Sequence, residues 1–278
     1  MTSPNVNQFT NHDFKSQAVV AFFDVLGTQA MTSDSGIHDL FRAFSNSMVR
    51  AEIPQRVSYS YSPILGAWIF SDNVAVAFDA SDDLGEGNYA FAMSSLADFY
   101  VEMLSRGYLL RGGIGFGSLC YNSHMCLGTA LSNAYRAESN HAANGSATPG
   151  GGIAIDESAH HFFEELKRPY APGNDLIESE LIRGKDEGRV EPDTVNVFKF
   201  FLDATVDEYE EETECALKRI ELIEKAISHM NRQINSLTNR RAKAKWVWTA
   251  ERLAETLRKF YPILERKSPA IAKFLSEH

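Results

Sequence analysis

Three cysteines in 278 residues, Cys120, Cys126 and Cys215, are too few for a disulfide framework. Cys120 and Cys126 lack the close pairing of a zinc knuckle and no second pair follows, so free thiols in a reducing compartment are expected. Basic charge is also scarce: 27 Lys and Arg against 37 Asp and Glu leave a net charge of −10. That balance argues against nonspecific binding to DNA, which needs a basic surface, but leaves room for a locally positive pocket that takes a small anion. No apolar run approaches the roughly 20 residues needed to span a bilayer. The polar opening "MTSPNVNQFTNHDFKSQ" lacks the apolar core of a signal peptide. A cytoplasmic protein without membrane contact is the expectation.

The apolar fraction of 44% is ordinary for a chain that buries a real core. The length predicts one large domain, or one domain with an appendage. "AVVAFF", Ala18 to Phe23, reads as a buried strand running into Asp24, with Gly27 and Thr28 soon after. Ile37, Leu40, Phe41, Phe44 and Met48 recur at helical spacing. Val57, Tyr59 and Tyr61 alternate with polar residues, Pro63 and Gly66 suit a turn, and "AWIFSDNVAVAF" then returns as a strand that carries Ser71 and Asp72. A helix ending at Gly107, the glycine-rich strand "YLLRGGIGFGSLCY", the helix "LGTALSNAYRAESNHA", a strand from Gly152 leading into a helix, and a last strand "TVNVFKFF" follow. The order predicts an α+β fold with a largely antiparallel sheet. From Glu208 onward the chain reads as helical, with Leu217, Ile220, Ile227, Met230, Ile234 and Leu237 in one stripe and Trp246, Trp248, Leu253, Leu257 and Tyr261 in a second helix. Periodicity leaves open whether this region packs on the sheet or on another chain.

Two carboxylates stand out. Asp24 is either a helix cap or a metal ligand; Asp72, on a strand, is costly unless something uses it. Sequential strands are often neighbours, and two aspartates on adjacent strands can share a hard cation such as Mg²⁺ or Mn²⁺. Gly27 and Thr28 stand at a helix entrance, where free N–H groups favour phosphate. Arg111 precedes a bare strand of Gly112, Gly113, Gly115 and Gly117; glycine in a strand signals close approach of backbone or ligand. Arg111 is then a phosphate clamp or a surface salt-bridge partner. Ser132, Asn133 and Arg136 share one face of a helix, as an active-site wall or as a solvated face.

Together these four segments resemble the class III nucleotidyl cyclase catalytic domain over about residues 18 to 202. The family's F-x-D-x-x-G is Phe22-Phe23-Asp24-Val25-Leu26-Gly27, and its hairpin Gly/Ser-Asp is Ser71-Asp72. Its R-x-G-I-x-x-G strand is Arg111 to Gly117, and its G-x-x-x-N-x-A-x-R helix is similar to Gly128 to Arg136. The resemblance implies a ferredoxin-like palm sheet with helices on one side. It divides the chain into a flexible N-terminus (1–17), a catalytic domain (18–204) and a C-terminal helical appendage (205–278). It implies that Asp24, Asp72 and the Val25 carbonyl hold two Mg²⁺ or Mn²⁺ ions per site. Phe22, Phe23 and the Val25–Leu26–Gly27–Thr28 turn lie against the nucleotide, Arg111 holds pyrophosphate, Lys199 on the last strand is a second phosphate contact, and Arg136 stabilises charge on the α-phosphate. The family's asparagine position holds Ser132 here, with Asn133 one place later. The family also shares each site across a homodimer.

Purine cyclases place a charged base reader four residues before the second aspartate; here that position is Trp68, a base-pocket wall or plain core, with Tyr59 and Tyr61 nearby. The absence of a purine reader is similar to the pyrimidine cyclases of bacterial antiphage defence, the Pycsar systems, whose cyclic UMP or cyclic CMP activates a separate effector. UTP as substrate is the family-level expectation. A cytidylate cyclase, a purine cyclase, a degenerate nucleotide sensor, and an interaction protein built on the helical C-terminus are the alternatives.

Overall fold

The computed structural model describes residues 12–26, 34–51, 64–81, 85–143, 151–159, 181–182, 185–186, 189–190, 194–203, 209 and 213–278. Its centre is β1, Asp13–Leu26, flanked by antiparallel partners on both sides. Along β1 the side chains alternate between two cores. Val19, Ala21, Phe23 and Val25 enter the larger one, and Ala18, Val20 and Phe22 the smaller. A strand covered on both faces is apolar at every position, which is why "AVVAFF" shows no alternation.

After β1 come α1 (Asp34–Ala51), β2 (Ile64–Phe70), β3 (Asn73–Asp79), α2 (Gly85–Ser105), β4 (Leu109–Tyr121), β5 (Cys126–Leu127), α3 (Thr129–Ala143) and β6 (Ile153–Ile155). Short strands follow: β7 (Leu181–Ile182), β8 (Lys185–Asp186), β9 (Arg189–Val190) and β10 (Thr194–Val195). The main sheet runs β2-β3-β1-β4-β6-β10-β7, with β5 paired to β4 and a separate β8-β9 ribbon. Only the β4–β6 pairing is parallel among the described strands. The expected α+β class with a mainly antiparallel sheet is what forms. The helices gather on one face, where α1 and α2 supply Leu40, Phe44, Met93, Leu96 and Tyr100 to the larger core. The exception is α3, which lies on the other face and contributes Ala130 and Ala134 to the smaller core.

Two expected elements sit differently. A hairpin turns at Ser71-Asp72, inside the stretch expected to be one returning strand: Gly66 lies at a register shift within β2, and Ala67 to Phe70 pair with Val76 to Asn73. Ser71 has φ 60°, the left-handed first position of a two-residue turn, which tightens the hairpin at a small backbone cost. Asp72 therefore stands on the turn and not within the strand. Val57, Tyr59 and Tyr61 lie outside the described residues. The stretch "TVNVFKFF" does not form one strand. The strand stops at Val195 and α4 (Val197–Asp203) begins. Asn196 starts it: its side-chain oxygen accepts the Lys199 N–H, an N-cap bond that favours helix over continued strand.

The C-terminal helices are α5 (Glu214–Ser236), α6 (Arg240–Phe260), α7 (Pro262–Lys267) and α8 (Pro269–Glu277). They pack on the sheet's helices: Ile223, Met230, Trp246, Leu253 and Leu257 belong to the same core as α2. Arg219 of α5 bridges Asp98 of α2 at 2.8 Å, and Thr256 of α6 donates to Asn196. Apolar residues surround α2 because it is enclosed between the sheet and these helices. Among the described residues no helix is long and apolar enough to cross a membrane.

Candidate functional site

Asp24 occupies the last turn of side-chain alternation on β1, with Asn73 of β3 opposite it on one side and Arg111 of β4 on the other. The Val25 N–H donates to the Asp72 carbonyl at 3.1 Å, tying the end of β1 to the β2–β3 turn. This bond brings the two predicted carboxylates to one end of the sheet. The Asn73 side-chain amide donates to Asp72 Oδ1 at 3.2 Å.

Arg111 is held between two acids. Its Nη2 lies 3.0 Å from Asp24 Oδ2, and its Nε donates to Glu138 Oε1 at 2.5 Å. Side-chain exposure is 18% for Arg111, 25% for Asp24 and 6% for Glu138, so solvent screens the cluster weakly. Burial pushes the Asp24 carboxyl up to about 6; Arg111 opposes this, the Glu138 and Asp72 charges add to it, and Lys245 opposes it. Glu138 escaped the sequence reading. Its signal was its place on the buried face of α3, eight residues after Ala130 and four after Ala134. A carboxylate on an apolar stripe needs a buried cation, and Arg111 is that cation.

The glycines of β4 serve α3. A Cβ at Gly113 would stand 2.1 Å from the Ala134 carbonyl oxygen, and one at Gly115 would stand 2.3 Å from the Ala134 nitrogen. The close approach inferred for this strand is therefore that of a helix backbone. It carries Glu138 to within reach of Arg111.

Lys245, from α6, lies within electrostatic range of Asp24, Arg111 and Glu138. Trp248, one turn later, packs on Gly152, whose carbonyl accepts the Gly112 N–H at 2.9 Å, next to Arg111. Tyr100 fixes the same segment by donating to the Gly151 carbonyl. Burial lowers the Lys245 pKa, as do Arg111 and Arg241, while Asp24 and Glu138 act the other way.

The remaining expected site residues are dispersed. Arg136 projects from α3 with its side chain 58% exposed, 3.7 Å from Asp156 and bonded to the Asn133 side-chain oxygen. Asn133 donates to the Phe116 carbonyl at 2.9 Å and to Ser158 at 3.0 Å, a clamp between α3 and the sheet. Ser132 donates to the Gly128 carbonyl within its own helix. Phe23 faces the larger core against Phe99, and Phe22 lies in the smaller core with its ring edge-on to Tyr135. Leu26 packs against the larger core. Trp68 is buried in the smaller core, edge-on to Tyr121, with its indole N–H donated to the Asn122 carbonyl at 2.8 Å. Its packing is that of a core residue. Lys199, on α4, is buried and bonded to Asp203, with its ammonium 5.4 Å from the centre of the Phe260 ring. Gly27, Thr28, Tyr59 and Tyr61 lie outside the described residues.

No family model and no curated protein matches this chain. Solved structures do. The adenylyl cyclase CyaB from P. aeruginosa is 15% identical over 66% of this chain and 94% of its own, with a TM-score of 0.43. The guanylyl cyclase Cya2 is 14% identical over 67% and 92%, TM-score 0.42. A bacterial light-regulated adenylyl cyclase is 14% identical over 68% and 96%, TM-score 0.42. At these identities and scores the likenesses carry no argument about activity.

The donor set itself fits a divalent cation. Asp24 and Asp72 are hard oxygen donors at one sheet end, and one or two carboxylates suffice for Mg²⁺ when substrate phosphates complete the shell. An Asp24 carboxyl raised by burial and by neighbouring carboxylates is one whose ionised form a cation stabilises. No group of three or more His, Cys, Asp or Glu that could hold a metal occurs among the described residues.

Proposed function

We propose that this chain is a class III-type nucleotide cyclase, a lyase that forms a 3′,5′-cyclic nucleoside monophosphate and pyrophosphate from a nucleoside triphosphate. The observation that carries the reading is the meeting of Asp24 with the Ser71-Asp72 turn, beside Arg111, in the order and spacing of the cyclase motifs. In the reaction the ribose 3′-oxygen bonds to the α-phosphorus, and the bond from that phosphorus to the bridging oxygen of the β-phosphate breaks. Two Mg²⁺ or Mn²⁺ ions held by Asp24, Asp72 and the Val25 carbonyl would supply charge neutralisation and acidify the 3′-hydroxyl. Arg111, positioned by Glu138, places a fixed positive charge beside the triphosphate. Backbone N–H groups of the segment that follows Val25 would bind β- and γ-phosphate, the Val25 N–H itself being taken by the Asp72 carbonyl. Arg136 is exposed on α3, so the reading assigns it to the α-phosphate of a partner chain's site in a homodimer, where it stabilises the charge that grows during transfer.

UTP is the substrate proposed, with CTP second. The support is negative in form: the position that carries a charged purine reader in adenylyl and guanylyl cyclases holds Trp68, which is buried and offers a base no charged contact. The product would serve as a second messenger for a separate effector in antiphage defence. Incubating the full chain with each of the four NTPs and Mn²⁺, followed by product chromatography, tests this reading. Cyclic UMP as the main product supports it; cyclic AMP or cyclic GMP as the main product replaces it with a purine cyclase; no nucleotide turnover and no pyrophosphate favours a nucleotide sensor.

A further inference from the structure

The first turns of α6 are unusual for so acidic a chain. Arg240, Arg241, Lys243 and Lys245 fall within six residues, and no acid follows until Glu251. The helix itself gains nothing from them, since the macrodipole disfavours cations near a helix start. Among the described residues none of the four side chains is in an ion pair or a hydrogen bond. The helix is fixed independently of them, by Trp246, Leu253 and Leu257 in the main core and by Asn239, whose side chain caps the Arg241 and Ala242 N–H groups. Its placement is therefore not set by these charges, yet it seats Trp248 on Gly152, whose carbonyl accepts the Gly112 N–H beside Arg111, and Lys245, one turn before Trp248, lies within electrostatic range of Asp24, Arg111 and Glu138.

We propose that Lys245 is a polyphosphate contact supplied by the C-terminal helical region, which closes the phosphate end of the site, with Arg241 one turn away reinforcing the positive field. The inference rests on reading the site as one that binds a nucleoside triphosphate. Arg111 is shared between two carboxylates, so the positive charge it presents to a triphosphate is partly offset and a further cation adds to it. Lys245 is half-buried and has no carboxylate in ion-pair contact, and a partly desolvated ammonium in that position attracts an incoming anion strongly.

The test is calorimetric titration of the full chain with inorganic tripolyphosphate in Mn²⁺. Lys245→Gln and Lys245→Met are expected to weaken binding about 10- to 100-fold, the loss of one charge-assisted contact. Lys245→Arg keeps most of the affinity, and Lys218→Met, at an exposed α5 lysine paired with Glu214, leaves it unchanged. If binding depends on Asp72 but is equal in wild type and Lys245→Met, the inference falls and the reading of the site stands. If wild type shows no Asp72-dependent binding, the reading falls and takes the inference with it. Loss in Lys245→Arg together with a lowered melting temperature assigns Lys245 to packing and overturns the proposal.

Discussion

Arg111 Nη2 sits 3.0 Å from Asp24 Oδ2, while the Nε of the same guanidinium is bonded to Glu138 of α3. One arginine thus links the end of the central strand to α3 on the far face of the sheet. The aspartate proposed as a metal ligand is held in place by this link before any cation arrives. The fork geometry of the guanidinium allows two acids to be engaged at once, which a lysine could not reproduce.

The Asp24 carboxyl gives a pH dependence with a definite sign. Its pKa is raised from 3.8 to about 6 in the folded chain. Between those values the folded protein holds a proton that the unfolded chain has lost, so the cation-free protein loses stability as pH rises through that window. A divalent ion needs the ionised carboxylate and competes with the proton below about 6. Thermal melts are expected to show a larger rise with Mn²⁺ at pH near 8 than near 5, and no rise at either pH in Asp24→Asn. An equal Mn²⁺ effect at both pH values in wild type would count against Asp24 as the ligand.

Glu138→Gln keeps the shape of the side chain and removes the buried charge that balances Arg111. Arg111 then turns wholly to Asp24. Loss of ~1–3 kcal/mol of stability in urea is expected, with NTP-dependent pyrophosphate release lowered about ten-fold or more. A variant with wild-type stability and turnover would show that Glu138 does not position Arg111.

Gly115→Ala drives a methyl group to 2.3 Å from the Ala134 nitrogen and 2.5 Å from the Ala130 carbonyl oxygen. Both are helix backbone atoms and cannot swing aside as a side chain can. A destabilisation of about 3 kcal/mol is expected from chemical denaturation, with α3 and therefore Glu138 displaced. Near-wild-type stability would mean that α3 does not sit so close to β4.

Trp68→Phe separates core from base recognition. It removes the indole bond to the Asn122 carbonyl and leaves most of the apolar packing. Stability is expected to fall by ~1–2 kcal/mol, with the ranking of the four NTPs unchanged. A changed ranking would return Trp68 to the base pocket.

Mixing an Asp72→Ala chain with an Arg136→Ala chain tests whether sites are shared between two copies. Partial recovery of the activity that each lacks is the expected result. No recovery, with subunit exchange demonstrated by differently tagged chains, would place Arg136 in a site of its own chain or in none.

Much of the fold was legible because its signals are local. "AVVAFF" is apolar at each position, as a strand covered on both faces must be, and the helical stripes of α1, α5 and α6 follow from spacing alone. "TVNVFKFF" misled because an apolar run interrupted by one lysine suits a strand or a wholly buried helix, and a single cap, Asn196, decides between them. The hairpin misled because "AWIFSDNVAVAF" reads as one returning strand, with Pro63 and Gly66 the stronger turn residues, yet the pairing of β2 with β3 puts a turn at Ser71-Asp72.

By itself the sequence determined the chemistry available: an aspartate ending the first strand and a second one after Ser71, an arginine before a glycine-rich strand, a second arginine on the following helix, and no charged residue at position 68. Those are properties of residue type and spacing along one chain. Only the tertiary structure decided who meets whom. It joined Asp24 to Arg111 through strand pairing, supplied Glu138 from a helix seated on bare glycine, withdrew Trp68 and Lys199 into cores, and brought Lys245 from more than a hundred residues away. The reason is physical: charge partners in a fold are fixed by which apolar faces pack together, and that packing joins segments that no local pattern connects.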